Sequence, residues 1–156
     1  MIPYKLTLQG FLSYRKPVTL DFTSFDVACI SGSNGAGKSS LLDAITWALF
    51  GEARKRDESI INVACQKAEV MLEFEYEGNR YRVQRINQRG KSTTVDFFIK
   101  NPLAEDPLGQ WKTLSERTLR DTDALIQRTL RLDYDTFINA SFFLQGKADL
   151  FTTQRP

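Results

Sequence analysis

Apolar and polar residues alternate over residues 2–9, and the same pattern recurs over residues 18–23. Alternation with a period of two predicts strands that bury one face. The run over residues 27–30 is instead continuously apolar and stops at Ser31-Gly32. Because a short run of this kind is typical of a strand covered on both faces, we expect a buried strand of a parallel α/β sheet here.

From Lys38 onward the spacing of apolar residues is that of an α-helix. A helix is predicted over residues 38–50, and Gly51 provides the left-handed residue at which many helices end. Residues 54–58 are charged and show no period, so we interpret them as a linker. The apolar face of the predicted helix holds Leu41, Leu42, Ile45, Ala48 and Leu49.

A β-hairpin is predicted by two alternating segments, 69–76 and 80–85, on either side of Gly78-Asn79. A two-residue turn at Gly78-Asn79 would join them. A third alternating segment, 94–100, extends the hairpin into an antiparallel meander. The hairpin register that this turn implies pairs Glu77 with Arg80 and Glu75 with Arg82.

Helices are predicted after the meander. Residues Thr113 to Glu116 fit a capping box, so we expect a helix from there to about Arg131. Asp133 and Asp135 are suitable caps for a short second helix. The apolar residues of the two helices are Leu119, Ile126, Leu130, Phe137 and Ala140.

Composition narrows the class of protein. With 156 residues, 42% hydrophobic and 26% charged, the chain suits one globular domain and not a disordered or membrane protein. We expect no signal peptide, because no charged leader precedes an apolar run. The absence of His excludes His-based acid–base catalysis and His-ligated metals. Cys29 and Cys65 are expected to be reduced core residues. The net charge of +2 does not by itself indicate nucleic-acid binding.

The segment between the predicted buried strand and the predicted helix matches a phosphate-binding loop. Gly32-Ser33-Asn34-Gly35-Ala36-Gly37-Lys38-Ser39 fits G-x-x-x-x-G-K-[ST] at every fixed position. Glycines let backbone N–H groups point at phosphate oxygens, and the helix N-terminus favours anions. Lys38 would lie between the β- and γ-phosphates, Ser39 would ligate Mg²⁺ and Ser40 would bond the α-phosphate. We therefore expect a nucleoside triphosphate site.

The residues around this loop resemble a particular family. Residues 35–45 and 48–51 are similar to the N-terminal lobe of the SbcC family, the long coiled-coil ABC-type ATPases of double-strand-break repair, which are related to the chromosome-maintenance proteins. Residues 10–14 resemble the end of the family's first strand, and residues 141–146 resemble its Q-loop. The resemblance implies an α/β fold: the N-terminal half of an ABC-type P-loop ATPase, with an antiparallel β-meander followed by helices.

The resemblance also implies an organisation for the whole chain. Residues 1–156 are expected to form one N-terminal lobe of the ATPase head. Its successive parts are the strands, P-loop and helix over 1–53, the meander over 68–100, helices and Q-loop over 113–145, and the approach to a coiled coil over 146–156.

Residue roles follow from the family motif. Asn34 to Ser40 would wrap the triphosphate of ATP, and Ser39 together with Gln145 would hold Mg²⁺. Lys38 and Gln145 would be the catalytic side chains, and Gln145 would sense the γ-phosphate. Some relatives carry an Arg at the position of Leu12, and that Arg reaches the nucleotide. Leu12 cannot do so, and Ser13 or Arg15 could take its place in this chain. The segment that approaches adenine aligns with Ile61, Asn62 and Val63.

An ATPase of this type also needs an acidic strand end, a Glu that activates water and a signature loop from an opposing subunit. No run of four apolar residues ends in Asp-Glu in this chain, so the resemblance implies that a C-terminal lobe beyond the coiled coil supplies these groups. The chain alone is expected to hydrolyse ATP negligibly. The expected partners are that C-terminal lobe, a second ATPase head, an SbcD-type nuclease and DNA, with no membrane. The expected location is the cytoplasm, at the nucleoid in a prokaryote.

Basic residues form two small clusters for which two interpretations stay open. A cluster of charges is commonly a solvated face, and Arg80 and Arg82 have glutamates across the hairpin. The family binds DNA through its backbone, so the remaining basic residues are candidate phosphate contacts. These candidates are Arg85, Arg89 and Lys91 in one cluster and Arg54, Lys55 and Arg56 in the other.

Three functions are compatible with a P-loop in this chain. The first is an ATP-driven motor lobe for DNA-end processing with a nuclease, and the second is an ATP-gated DNA tether without one. The third, a small-molecule kinase, is disfavoured because a meander stands where such kinases place a lid. The sequence does not separate motor from tether.

Overall fold

The computed structural model describes residues 1–25, 29–55, 57–101, 103 and 110–141. Within them it contains six strands, three α-helices and a short 3-10 helix over Asp57–Ile60. The strands are β1 (Ile2–Gln9), β2 (Val18–Asp21), β3 (Lys67–Tyr76), β4 (Asn79–Gln88), β5 (Thr94–Lys100) and β6 (Trp111–Thr113). The α-helices are α1 (Lys38–Phe50), α2 (Leu119–Leu130) and α3 (Tyr134–Ser141).

The six strands form one sheet in the order β2-β1-β3-β4-β5-β6. Every pairing between these strands is antiparallel, and β3 with β4 forms the longest ladder, from Lys67 opposite Gln88 to Tyr76 opposite Asn79. The fold is therefore α/β, as the resemblance implied. The strand β6 was not predicted, because its three residues are too few to show an alternating pattern.

One face of the sheet packs against α1 and α2 and forms the core. Alternation along each strand puts apolar side chains on this face and leaves polar ones, such as Glu69 and Gln84, on the other. The strands contribute the fully buried residues Leu6, Leu8, Val70, Leu72, Phe74, Val83 and Phe97, and the helices contribute Ala44, Ala48, Leu49, Ile126 and Leu130.

Helix α1 has the predicted bounds, and Gly51 ends it in the left-handed conformation with its N–H bonded to the Trp47 carbonyl. Its buried face differs in part from the predicted one. Leu42 is 39% exposed, whereas Trp47 is buried and packs 5.3 Å from the Phe11 ring. The buried stripe is wider than the prediction because α1 contacts both the sheet and α2.

The hairpin turn lies one residue earlier than predicted. Tyr76 pairs with Asn79, so Glu77 and Gly78 are the turn residues, with φ of 48° and 75°. A turn with both φ values positive favours Gly at its second position, and this register also stacks Phe74 on Tyr81 at 5.7 Å. The cross-strand pairs are therefore Glu75 with Arg80 and Glu73 with Arg82. Both arginines bond the Glu73 carboxylate, so the predicted neutralisation holds with a different partner.

Helix α2 begins later than predicted. Its N-cap is Thr118, whose hydroxyl accepts a hydrogen bond from the Asp121 N–H at 3.1 Å, and Thr113 to Glu116 lie before it. Ser115 instead accepts from the Phe97 N–H at 3.0 Å and fixes this segment against β5. The predicted end near Arg131 is confirmed, with Ile126 and Leu130 buried. Leu119 is 40% exposed because it occupies the first position of the helix, beside the cap.

Helix α3 is capped by Asp133, as predicted. The Asp133 carboxylate accepts from the Thr136 N–H at 2.8 Å. Hydrogen bonds from the Thr136 side chain and backbone hold the pKa of Asp133 below its usual value. Phe137 is buried and packs 5.3 Å from Phe50, so α3 meets the end of α1.

The prediction of a buried parallel strand over residues 27–30 is corrected in its described part. Residues 26–28 lie outside the described residues, while Cys29 and Ile30 have no strand structure and are exposed. In the described ranges no strand pairs with residues 29–31, and Ile30 is 51% exposed. Cys29 is therefore not a core residue and Cys65 is half-buried, although both thiols are free as expected. Of the helices described, none is both long and apolar enough to cross a membrane.

Gly10 should be much less tolerant of substitution than Gly90, although both have a positive φ, 62° and 71°. A side chain strains either backbone by roughly 1–2 kcal/mol. At Gly10 a Cβ would also clash with the Lys67 carbonyl oxygen, whereas at Gly90 nothing lies within 4 Å. We expect Gly10→Ala to lower the free energy of unfolding in urea by clearly more than Gly90→Ala. Equal losses would show that β1 and β3 do not meet as described.

Candidate nucleotide-binding site

The glycine loop leads directly into α1. Gly35 and Gly37 have φ of 84° and 94°, and the Ala36 N–H donates to the Ser33 carbonyl at 3.2 Å. Gly37 is the N-cap of α1 and bears no side chain that could cap it. The first N–H groups of a helix lack intrahelical acceptors, so this uncapped helix start offers donors to an anion.

Lys38 holds the glycine loop closed. Its ammonium donates to the Gly32 carbonyl at 2.7 Å and to the Ser33 carbonyl at 2.9 Å. These bonds place a positive charge within the loop and beside the helix N-terminus. Because an ammonium has three donors on a flexible stem, it can exchange carbonyl oxygens for phosphate oxygens without moving the helix.

The turn after β1 forms one wall of the site. Phe11 and Tyr14 exchange backbone hydrogen bonds of 3.0 and 2.8 Å, and Leu12 has a φ of 47°. The Tyr14 hydroxyl donates to the Gly37 carbonyl at 3.4 Å, and burial raises the pKa of Tyr14, which keeps this donor protonated. A Cβ on Gly37 would lie 3.1 Å from Ser13 and 3.2 Å from the Tyr14 ring. Only glycine therefore lets the loop approach this turn so closely.

The loop, the turn and the helix start surround a cavity of about 220 Å³. A second cavity of about 330 Å³ shares Ser13, Ser40 and Arg54 with the first and extends to Leu12 and Lys55. Ser40 is buried, and its hydroxyl lies 3.4 Å from that of Ser13. The structure thus brings most of the predicted triphosphate residues together: the first cavity is lined by Ser13, Asn34, Gly35, Gly37, Lys38, Ser39, Ser40 and Arg54.

Arg54 and Asp43 are a part of this site that sequence reasoning missed. Arg54 was a DNA candidate, but its guanidinium lines both cavities and its Nη2 lies 2.6 Å from Asp43 Oδ2. Hydrogen bonding to Asp43 raises the pKa of Arg54. The sequence feature that could have revealed this pair is Asp43, the single carboxylate within the mostly apolar helix α1, five residues after Lys38. A charge at such a buried position requires a partner.

The predicted adenine segment braces the turn after β1. Asn62 donates from Nδ2 to the Leu12 carbonyl at 2.6 Å and from its backbone to the Gly10 carbonyl at 2.7 Å. Ile61 is only 3% exposed and forms a bridge to Phe11, so its side chain belongs to the core and does not face a nucleotide. Val63 is 95% exposed, and its contact with adenine stays a prediction.

The Mg²⁺ site is described only in part. Ser39 is exposed and lines the first cavity, where its hydroxyl is the hard oxygen donor that Mg²⁺ prefers. Gln145 lies outside the described residues, as does Arg56, and their predicted roles stay predictions. Among the described residues no cluster of His, Cys, Asp or Glu could hold a metal ion by itself. The role of Ser39 as a ligand of Mg²⁺ stays a prediction.

The prediction that Arg85 contacts DNA is corrected by its burial. Its side chain is 1% exposed, bonds Asp123 through Nη2 at 2.5 Å and donates to the Ala48 carbonyl. Arg89 is 36% exposed and lies 3.5 Å from Glu58. Lys91 and Lys55 are exposed. The described DNA candidates that stay accessible are therefore Arg89, Lys91, Arg54 and Lys55.

Solved structures define the class of protein. The SMC head domain from Thermotoga maritima superposes with a TM-score of 0.52 at 31% identity, covering 62% of this chain and 37% of that one. The recombination mediator RecF in its ATP form also superposes with a TM-score of 0.52, covering 62% of this chain and 26% of that one; its 16% identity shows the fold alone. The chain therefore has the fold of part of an SMC-type head domain.

The family follows from sequence comparison. The family model AAA_23, described as an AAA domain, matches residues 5–156, and the chain belongs to this family. The chain is 36% identical over 94% of its length to the SbcC component of the nuclease SbcCD of Deinococcus radiodurans. It is 39% identical over 97% of its length to a probable double-strand break repair Rad50 ATPase of Aquifex aeolicus. It spans 16% and 15% of these two proteins, and the predicted resemblance to SbcC-type ATPases is confirmed.

Arg85→Ala should destabilise the fold strongly, because it leaves the Asp123 charge and the Ala48 carbonyl without their partner. Breaking a buried pair from one side costs about 3–5 kcal/mol. Arg89→Ala is the matched control, because it removes only a partly exposed ion pair with Glu58 and a hydrogen bond to the Cys65 carbonyl, which together should cost about 1–2 kcal/mol. Urea unfolding of both variants measures the difference. If Arg85→Ala unfolded like Arg89→Ala, the buried pair would not exist as described.

Proposed function

We propose that this chain is the ATP-binding half of a DNA-repair ATPase. The observation that carries the proposal is the cavity in which Lys38, two positive-φ glycines and the uncapped start of α1 converge. Each of these features favours a polyphosphate anion, and they favour it at the same place. The names of the relatives, a nuclease component and a repair ATPase, support the choice of biological process.

Each residue of the site has a role in binding. Bound ATP–Mg²⁺ would supply the phosphoanhydride to be cleaved and a cation that offsets its charge. Lys38 would exchange its hydrogen bonds to the Gly32 and Ser33 carbonyls for bonds to the β- and γ-phosphates, and Ser39 would be a ligand of Mg²⁺. Tyr14 holds the Gly37 carbonyl, so the loop keeps its curvature when the lysine bonds are exchanged. Gln145 acts as the γ-phosphate sensor.

The complete ATPase uses parts beyond these residues. A C-terminal lobe provides the acidic groups that complete the Mg²⁺ site and activate water, and a second head closes over the nucleotide. ATP-driven dimerisation and hydrolysis then control DNA-end binding and processing by an SbcD-type nuclease in the cytoplasm. The exposed Cys29 and Ile30 support this proposal, because another lobe could cover them.

A second function, an ATP-gated DNA tether without a nuclease, is favoured by one observation. The similar SMC head domain belongs to a protein whose name indicates chromosome maintenance. Both functions need the same nucleotide site. They differ in whether DNA cleavage by a partner depends on ATP binding to this chain.

Lys38→Ala tests the nucleotide site. Charge-assisted hydrogen bonds contribute about 1.5–3 kcal/mol each, so affinity for ATP–Mg²⁺ should fall roughly ten- to a hundred-fold. Calorimetry on the chain assembled with its C-terminal lobe measures the loss. Lys16→Ala, which removes an equal charge from an exposed site, should leave the affinity unchanged. Unchanged affinity of the Lys38 variant would refute the proposed site.

We also propose that Arg89 and Lys91, in the β4–β5 turn, contact the DNA backbone. Lys91 is exposed. Arg89 donates from Nε to the Cys65 carbonyl at 3.2 Å and its Nη1 lies 3.5 Å from Glu58, and its other guanidinium N–H groups can reach phosphates. Replacing both with Glu should weaken DNA binding of the ATP-bound dimer equally for all sequences. The logarithmic salt dependence should flatten by about two units. If the slope of DNA affinity against salt did not change, Arg89 and Lys91 would be solvent-exposed charges that do not contact DNA.

A further inference from the structure

We propose that Arg54 is a ligand of the nucleotide phosphates on the α-phosphate side and that Asp43 is its positioning residue. The proposal deepens the function proposed above and rests on it. The sequence pattern by itself places Arg54 in a basic cluster that is a candidate DNA contact. The structure instead gives it a fixed position at the border of the two cavities.

Asp43 fixes the guanidinium through three contacts. Arg54 Nε lies 2.7 Å and Nη2 2.6 Å from Asp43 Oδ2, and the Arg54 backbone N–H donates to Oδ1 at 3.2 Å. The Asp43 side chain is 8% exposed and stands on α1, one turn after Ser39 and Ser40. A buried carboxylate on the helix that also carries the phosphate loop therefore sets where this cation stands.

The opposite edge of the guanidinium is available for a ligand. A guanidinium has five N–H donors in a rigid fork, and Asp43 engages only the edge formed by Nε and Nη2. In the part of the chain that the structure describes, no protein group accepts from Nη1. Arg54 is 60% exposed, and it lines the same cavity as Lys38 and Ser39. A planar fork of this kind is suited to phosphate oxygens.

The position of Arg54 selects the α-phosphate side. Lys38 bonds the Gly32 and Ser33 carbonyls within the loop, which is where the β- and γ-phosphates are proposed to lie. Arg54 instead shares with Ser13 and Ser40 the boundary between the first cavity and the second. Leu12 brings no charge to that second cavity, and Arg54 and Lys55 are the cations that line it. A nucleotide that extends from one cavity into the other passes Arg54 at its α-phosphate.

Calorimetry with ATP–Mg²⁺ and with ADP–Mg²⁺ on the assembled ATPase tests this assignment. Arg54→Ala should weaken both nucleotides by the same factor, roughly ten-fold or more, since both carry an α-phosphate. Arg54→Lys should recover only part of the loss, because an ammonium cannot engage Asp43 and a phosphate as a fork does. Arg117→Ala, at an exposed position outside the site, should change neither affinity.

Two results would overturn the proposal. Unchanged nucleotide affinity in Arg54→Ala together with weaker DNA binding would return Arg54 to a DNA contact. A loss confined to ATP would place its contact at the γ-phosphate. Lys38→Ala separates these failures from failure of the site as a whole: if that variant loses affinity while Arg54→Ala does not, only the role of Arg54 is wrong.

A double-mutant cycle tests Asp43 as a positioning residue. Asp43→Asn keeps the shape of the side chain and removes its charge. It should weaken nucleotide binding in the parent protein but have no further effect in the Arg54→Ala background. Equal losses in both backgrounds would contradict positioning through Arg54. Urea unfolding of each variant ensures that only folded protein is compared. If Asp43→Asn does not fold, the nucleotide affinity of Arg54→Ala by itself still tests the main proposal.

Discussion

The packing of α1 against the antiparallel β3–β4 ladder is the constraint on which the candidate site depends. The apolar face of that ladder holds Ala44, Ala48 and Leu49 without exposure, so the helix cannot slide along the sheet. Its first residue, Lys38, is consequently fixed beside the turn that ends β1. The glycine loop itself contributes little apolar burial. Its shape follows from where the helix begins and from the glycines that let it approach Ser13 and Tyr14.

Helix α1 also contacts two arginines, one in its last turn and one through Asp43. Arg85 donates to the Ala48 carbonyl in the last turn, where a cation complements the negative end of the helix dipole, and Asp123 compensates its charge. Arg54 is held by Asp43 and lines the cavity beside Lys38 and Ser39, at the helix N-terminus. The first arrangement is buried and stabilises the fold. The second is open to the cavity, and this difference in exposure is why we assign it to ligand binding.

Local patterns in the sequence predicted the strands β1 to β5, the helix α1 and the glycine loop before it, because alternation and glycine spacing reflect contacts within short segments. They did not determine which of two similar turn positions or helix caps the fold uses. Gly78 suits two turn positions, and Thr118 competes with Thr113 as a helix cap. Arg85 follows Tyr81 and Val83 among the alternate residues of β4 that face the core, so the alternation predicted that its side chain is buried. Its charge instead favoured an exposed position. The pairing of Arg54 with Asp43 joins a linker to a helix, and no local pattern encodes it.

Amide hydrogen exchange of the assembled ATPase, with and without ATP–Mg²⁺, tests most directly whether the loop before α1 binds the triphosphate. Backbone N–H groups that bond phosphate oxygens exchange more slowly, and the account assigns these groups to the loop and the first turn of α1. Peptides covering residues 31–41 should become protected on nucleotide addition, while peptides covering residues 79–100 should not change. Unaltered exchange over residues 31–41, with protection appearing elsewhere, would contradict the account.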